Sequence, residues 1–310
     1  MLNRRSFIKK TSLGVGLLAT GAFPFEGFAS ETKRLTILHT NDVHSRLDPF
    51  PQDGGRLAGL GGVAARAALV SQIRAESDNV LLLDAGDMLQ GTPYFNMYKG
   101  EPEIKAMSMM GYDACTMGNH DFDAGIEGFA RLLPLARFPV LVANYDFTST
   151  PLENKIPPYT IINKGGIKVG VFGLGIELEG LVSRAAFGNT KYYDPIQAAK
   201  SVSEKLKKVE KCDMVICLSH LGYEYETNKI SDKTIAKETQ YIDLIIGGHT
   251  HTFLDSPAIQ RNIVGADVVI NQVGWGGVRL GRLDYTFGRK KDAKLYKSNS
   301  VNINKETSVD

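Results

Sequence analysis

Short apolar runs alternate along the chain with longer stretches in which apolar residues recur at helical spacing. The runs fall at residues 35–38, 80–83, 114–117, 140–143, 169–174, 214–218, 242–246, 268–270 and 280–287. Helical spacing covers 60–76, 101–110, 126–136, 195–208 and 233–239. Runs that are apolar at every position, rather than at alternate ones, predict strands covered on both faces. Their alternation with helices predicts an α/β fold. Pro151 and the pair Pro157-Pro158 mark a surface loop, and Gly165-Gly166 marks a hairpin turn. The chain has no internal repeat or low-complexity block. One domain, placed at residues 30–290, takes in nearly all of the pattern, and the polar, Lys-rich residues 291–310 read as a tail that frays at its end.

The first 29 residues stand apart. Asn3-Arg4-Arg5-Ser6-Phe7-Ile8-Lys9 matches the twin-arginine export pattern, and a mild apolar stretch follows, too short and too rich in Gly to span a bilayer. Small residues at Gly27 and Ala29 suit signal-peptide cleavage before Ser30, and no Cys stands near to take a lipid anchor. The expectation is a periplasmic protein, exported folded, with no membrane span after cleavage. The net charge of +2 belongs to this leader. Without residues 1–29 the chain has 32 basic and 33 acidic residues, a balance that gives no support to nucleic-acid binding. Cys115, Cys212 and Cys217 lie in or beside apolar runs, without paired spacing, and read as buried small hydrophobes.

Polar side chains cluster at the ends of five runs. TILHTND reaches Asp42 and His44, and VLLLDAGD reaches Asp87. CTMGNHD reaches Asn119 and His120, VICLSH reaches His220, and IIGGHTH reaches His249 and His251. Ligand sites in α/β sheets gather at the carboxyl ends of strands, so these residues should converge despite their separation. Five of the six histidines take part, which scattered core histidines would not do. Gly86, Gly118, Gly247 and Gly248 precede ligands where strands break into tight turns. Two carboxylates, an amide and four imidazoles are too many donors for one tetrahedral zinc but suit two adjacent cations. Imidazole with carboxylate favours Zn, Mn, Fe, Co or Ni over Ca or Mg. Two divalent cations outweigh the two carboxylates, leaving positive charge to attract a phosphate.

The ordered set Asp42-Val43-His44, Gly86-Asp87, Gly118-Asn119-His120-Asp121, His220 and Gly248-His249-Thr250-His251 resembles the signature of the calcineurin-like metallophosphoesterases. The resemblance implies a four-layer α-β-β-α sandwich of two mixed sheets and a phosphoester hydrolase with two divalent metal ions. It implies that Asp42, His44 and His251 hold the first metal, that Asn119, His220 and His249 hold the second, and that Asp87 bridges them. It further implies that His120 protonates the leaving oxygen and that Asp123 orients it, while Asp121 reads as a loop-stabilising acceptor. GDMLQGTPYF lacks the Asp-Arg-Gly that protein phosphatases carry, and with ILHTNDVHS, SHLGYE and GGHTHTF it resembles the 5′-nucleotidase branch. That branch implies a nucleotide or similar small phosphate as substrate. A 2′,3′-cyclic nucleotide phosphodiesterase, a UDP-sugar or NAD pyrophosphatase and a non-catalytic binding subunit are the alternatives. Bacterial members carry a second domain that stacks the nucleobase; these residues do not encode it, which leaves base recognition open and makes a separately encoded 5′-nucleotidase C-terminal domain protein a candidate partner.

Other residues have plainer readings. His39, inside the first strand, reads as a packed or hydrogen-bonded histidine. Trp275 reads as packing, with lining of the site as the alternative. Asn144 and Tyr145 follow a strand and either face the cleft or pack, while Tyr94 and Phe95 read as packing.

Overall fold

The computed structural model describes residues 32–288 and 292–304, and the expected leader at residues 1–29 lies outside the described residues. No helix among the described residues is long and apolar enough to cross a membrane. The described residues from Lys33 to Asn304 form one compact unit. Its strands are β1 (Lys33–Thr40), β2 (Val80–Asp84), β3 (Ala114–Cys115), β4 (Tyr145–Asp146), β5 (Tyr159–Lys164), β6 (Ile167–Leu174), β7 (Lys191–Tyr192), β8 (Met214–Ser219), β9 (Leu244–Gly247), β10 (Ala258–Arg261), β11 (Asp267–Asn271), β12 (Arg279–Phe287) and β13 (Ala293–Asn302). One mixed sheet has the order β13-β12-β1-β2-β3 and a second β10-β11-β9-β8-β6-β5, while β4 and β7 make a small separate pair.

The doubly apolar strands are explained by what each face meets. Side chains alternate across a strand. Ile37, Leu81 and Leu83 of the first sheet share one buried cluster with Val169, Ile216 and Leu244 of the second. The intervening Leu38 and Leu82 pack outward against Leu69, Val70 and Ile73 of helix Val63–Glu76 and Ile104 and Met107 of helix Glu101–Met110. On the far side Val215, Cys217 and Ile245 meet Ala199 of helix Pro195–Glu204 and Ile235 of helix Asp232–Glu238. The result is the expected four-layer α-β-β-α sandwich. Local signals set the helix ends. Asp194 accepts from the backbone N–H groups of Ile196 and Gln197 ahead of Pro195, and Ser231 forms a capping box with Thr234.

Three details depart from the sequence pattern. The expected strand at 140–143 is a splice between sheets: Leu141 N–H donates to the Cys115 carbonyl, whereas Ala143 N–H donates to that of Gly173. Its backbone groups are divided between two partners, so no regular ladder forms. The helix expected at 126–136 ends at Leu132 and continues as a 3₁₀ turn, Leu133–Leu135, because Pro134 has no N–H to donate. The segment after Phe287, expected to be only a polar tail, contains β13, paired antiparallel with β12. The hairpin at Gly165-Gly166 forms as expected between β5 and β6, and the three cysteines are buried and unpaired.

Candidate metal centre

β1, β2 and β3 of one sheet and β8 and β9 of the other all end at the same edge of the sandwich. The loops that leave them are sewn together by backbone hydrogen bonds: Asp42 N–H to the Gly86 carbonyl (2.9 Å), His44 N–H to Asp87 (3.0 Å) and Gly276 N–H to Asp42 (2.7 Å). Asp42, His44, Asp87, His249 and His251 all have φ between 50° and 70°. Non-glycine residues avoid this left-handed region at a cost of about 1–3 kcal/mol each, and they keep it where surrounding structure enforces a functional geometry. Gly118 is needed for close approach, since a Cβ there would lie 2.1 Å from Asp87 Oδ1.

The side chains form two groups that could each hold a cation. One is Asp42, His44 and His251, and the other is Asp87, His220 and His249; within each group the ligand atoms lie within 4.8 Å of one another. His44 Nε2 and His251 Nε2 are 3.0 Å apart, and His251 Nε2 is 3.4 Å from Asp42 Oδ1. Asn119 Oδ1 joins the second group, 2.9 Å from His249 Nδ1. Asp87 Oδ2 is 3.1 Å from His220 Nε2 and 3.9 Å from His44 Nε2, so it lies between the two groups. All seven residues singled out from the sequence as ligands therefore converge.

The chemistry of the donors fits cations. His220 is fully buried and donates its Nδ1–H to the Ala85 carbonyl at 2.7 Å. That bond fixes the tautomer and leaves the Nε2 lone pair facing the Asp87 carboxylate, an arrangement that is repulsive unless a positive charge intervenes. Burial works against charge on His220, but Asp87 and Asp42 outweigh it and raise the imidazole to about 10. The carboxylates thus demand a cation. Around them, burial and then the neighbouring His220 push His249 down to about 4, and burial lowers His44, leaving neutral imidazoles with lone pairs to give.

His120 is placed differently. Its Nδ1–H donates to Asp123 Oδ2 at 2.8 Å, its backbone N–H donates to Asp87 Oδ1 at 2.8 Å, and its side chain is 39% exposed. The Asp123 hydrogen bond is the main reason that its pKa rises above the usual imidazole value, against the opposing effect of burial. A protonated imidazole at the mouth of a cationic site can donate to an oxygen atom. Asp121 accepts from four backbone N–H groups, those of Asp87, Met88, Leu89 and Gly118, as a loop-stabilising acceptor should.

His39 is buried away from this cluster. Asn271 Nδ2 lies 2.9 Å from its Nε2, and burial pushes it down to about 3. Asn144 and Tyr145 turn inward: Asn144 bonds both backbone groups of Gly175, and the Tyr145 hydroxyl donates to the Ile176 carbonyl. Phe95 joins the core as expected, but Tyr94 lines a surface cleft and donates to Asp48. Trp275 packs edge-on against Phe50 and also stacks on His251, with 5.7 Å between ring centroids and 16° between planes, so the alternative of lining the site is met. Two supporting residues were not singled out in the sequence: Asn41, inside the ILHTNDVHS segment, and Gln272. Asn41 Nδ2 donates to Asp42 Oδ2 at 2.6 Å. Gln272 donates to the Gly248 carbonyl and accepts from Thr252 N–H, clamping the turn that carries His249 and His251. Gln272 follows β11 at its carboxyl end, the same positional signal that marks the ligands.

Comparisons with known proteins agree with this centre. A snake venom 5′-nucleotidase from Naja atra is 36% identical over 296 residues, covering 89% of this chain and 54% of that protein. The structure of a 5′-nucleotidase precursor from Thermus thermophilus superposes with a TM-score of 0.81 at 33% identity, over 89% of this chain and 56% of that one. An NAD nucleotidase from Haemophilus influenzae gives a TM-score of 0.78 at 29% identity, over 88% and 57% of the two chains. The chain spans about half the length of these relatives. The calcineurin-like phosphoesterase model matches residues 35–253, which carry all seven candidate ligands and His120, and the chain belongs to that family.

Proposed function

We propose that the protein is a 5′-nucleotidase-like phosphomonoesterase that uses two divalent metal ions, drawn from Mn, Zn, Co, Fe and Ni. The observation that carries this reading is the pair of adjacent three-residue groups, Asp42 with His44 and His251 and Asp87 with His220 and His249, beside an imidazole held by a carboxylate. Asp42, His44 and His251 would hold one ion, Asn119, His220 and His249 the other, with Asp87 shared. When bound, the ions would supply Lewis acidity to the phosphoryl group and an activated water for in-line displacement. The protein's own work is positional. The left-handed turns aim the ligands, His220 is fixed by Ala85, and the turn bearing His249 is clamped by Gln272. His120, its proton affinity raised by Asp123, would donate a proton to the departing alkoxide, a step worth about 10²–10⁴ in rate.

The similarity to 5′-nucleotidases favours nucleoside monophosphates as substrates, and the likeness to an NAD nucleotidase favours nucleotide pyrophosphates as a second class. The direct test is turnover of AMP, NAD and p-nitrophenyl phosphate by the metal-loaded chain. Release of phosphate from AMP supports the reading, and a chain that cleaves none of the three is not this enzyme. Residues 1–29 are proposed to direct twin-arginine export to the periplasm, on the strength of Arg4-Arg5 and the apolar stretch behind them. Replacing both arginines by Lys should hold the precursor in the cytoplasm, and normal periplasmic yield would exclude that route.

A further inference from the structure

Trp275 is the chain's single tryptophan, and it stands in the loop between β11 and β12. Backbone hydrogen bonds fasten this loop to both turns that carry the first group of ligands. Gly276 N–H donates to the Asp42 carbonyl at 2.7 Å, and Gly274 N–H donates to the carbonyl of Thr252, the neighbour of His251, at 2.9 Å. Asn41 adds two more bonds, accepting from Val273 N–H and donating to the Gly274 carbonyl. Gly274 and Gly276 have φ of 79° and 67°, so the chain turns sharply on either side of the indole. The indole is braced edge-on by Phe50, with 5.4 Å between ring centroids, and the Arg46 guanidinium lies 4.0 Å from the centre of that ring.

His251 needs an outside support for its ring. It faces the first group through Nε2, 3.0 Å from His44 Nε2 and 3.4 Å from Asp42 Oδ1, and its side chain is 39% exposed. Histidine ligands are usually oriented by a hydrogen bond from the other ring nitrogen. His220 has one, from Nδ1 to Ala85, but among the described residues the Nδ1 of His251 has no such partner. What meets its ring instead is the indole, nearly parallel at 16° with 5.7 Å between centroids. An imidazole that gives its lone pair to a cation becomes electron-poor, and an electron-poor ring gains from lying on the electron-rich face of an indole. We infer that Trp275 is a positioning residue for the first metal site, one that sets the His251 ring and strengthens that site's hold on its cation. The inference rests on the two-metal reading above.

The experiment titrates zinc into the chelator-treated full chain, following binding by calorimetry and the emission of the single tryptophan by fluorescence. The parent should take two equivalents. Trp275→Ala should weaken one of them about tenfold and leave the other as it was. Trp275→Phe, which returns a ring to the stack, should recover most of the loss. In the parent, zinc should change the tryptophan emission. That change should persist in Asn119→Ala, which removes a donor of the second group, and vanish in His44→Ala, which removes a first-group donor and keeps the stacked pair. Both equivalents bound by Trp275→Ala as by the parent overturn the inference, and so does equal weakening of both, which marks a general loss of structure. If Trp275→Ala does not fold, the parent and the two ligand variants decide. Emission that follows the first group upholds the inference, and two bound equivalents with no change in emission overturn it while leaving the metal centre intact. A parent that binds no zinc defeats the two-metal reading itself, and the inference with it.

Discussion

His120 and His220 stand on either side of one carboxylate, Asp87, yet the nitrogen each commits decides its role. His220 spends Nδ1 on a backbone carbonyl and turns Nε2 inward, whereas His120 spends Nδ1 on Asp123 at the mouth. His120→Ala should therefore keep both metals while turnover of an alkyl phosphate falls by about 10²–10⁴. The loss should be smaller with p-nitrophenyl phosphate, whose leaving group needs little protonation; equal losses in steady-state kinetics would remove the leaving-group role. The pH dependence follows from the raised pKa of His120. The protonated form is the active one, so activity is present below that pKa and declines as pH rises through it. Asp123→Asn removes the main cause of the rise, and the alkaline limb of kcat for an alkyl phosphate should move to lower pH. At this scale the ligands were legible because each ends an apolar run. Trp275 was not: its stacking partner, His251, lies far away in sequence, and no spacing rule links them.

The loops after β2 and β3 depend on one side chain. Asp121 is fully buried and gathers N–H groups from both loops, so Asp121→Ala leaves four buried donors without their acceptor. Such groups cost about 1–3 kcal/mol each when unpaired, and relaxation recovers part of this. A net destabilisation of about 3–5 kcal/mol is expected from urea unfolding, with lower metal content, since Asp87 and Asn119 ride on these loops. A loss under about 1 kcal/mol would mean that the loops hold themselves. Element by element, the central strands were readable because both faces are buried. β13 was not, because an edge strand needs apolar residues only where it touches the core. Ala293 and Leu295 pack toward the inter-sheet cluster and Val301 toward the other face, with a register shift at Asp284/Tyr285, so no regular alternation survives. Segment 140–143 misled for the opposite reason, being apolar enough for a strand but divided between two sheets.

At the scale of the whole molecule, the metal centre lies on the seam of the sandwich. Asp42, His44, Asp87 and Asn119 come from the first sheet, and His220, His249 and His251 from the second. Neither sheet alone carries a complete set for two ions. Bound cations would thus fasten the layers as well as catalyse, because ligand binding to the folded state adds to its stability. The likeness to 5′-nucleotidases covers about half of each of those proteins, and every metal ligand and proton donor assigned to the proposed hydrolysis lies within residues 35–253, which match the family. The most direct test is metal stoichiometry against activity: elemental analysis of the purified chain, with AMP hydrolysis followed through chelation and titration with Mn, Co or Zn. Two ions per chain at full activity, loss on chelation and recovery that needs the second equivalent are expected. Full activity with one ion or none per chain would contradict the dinuclear centre.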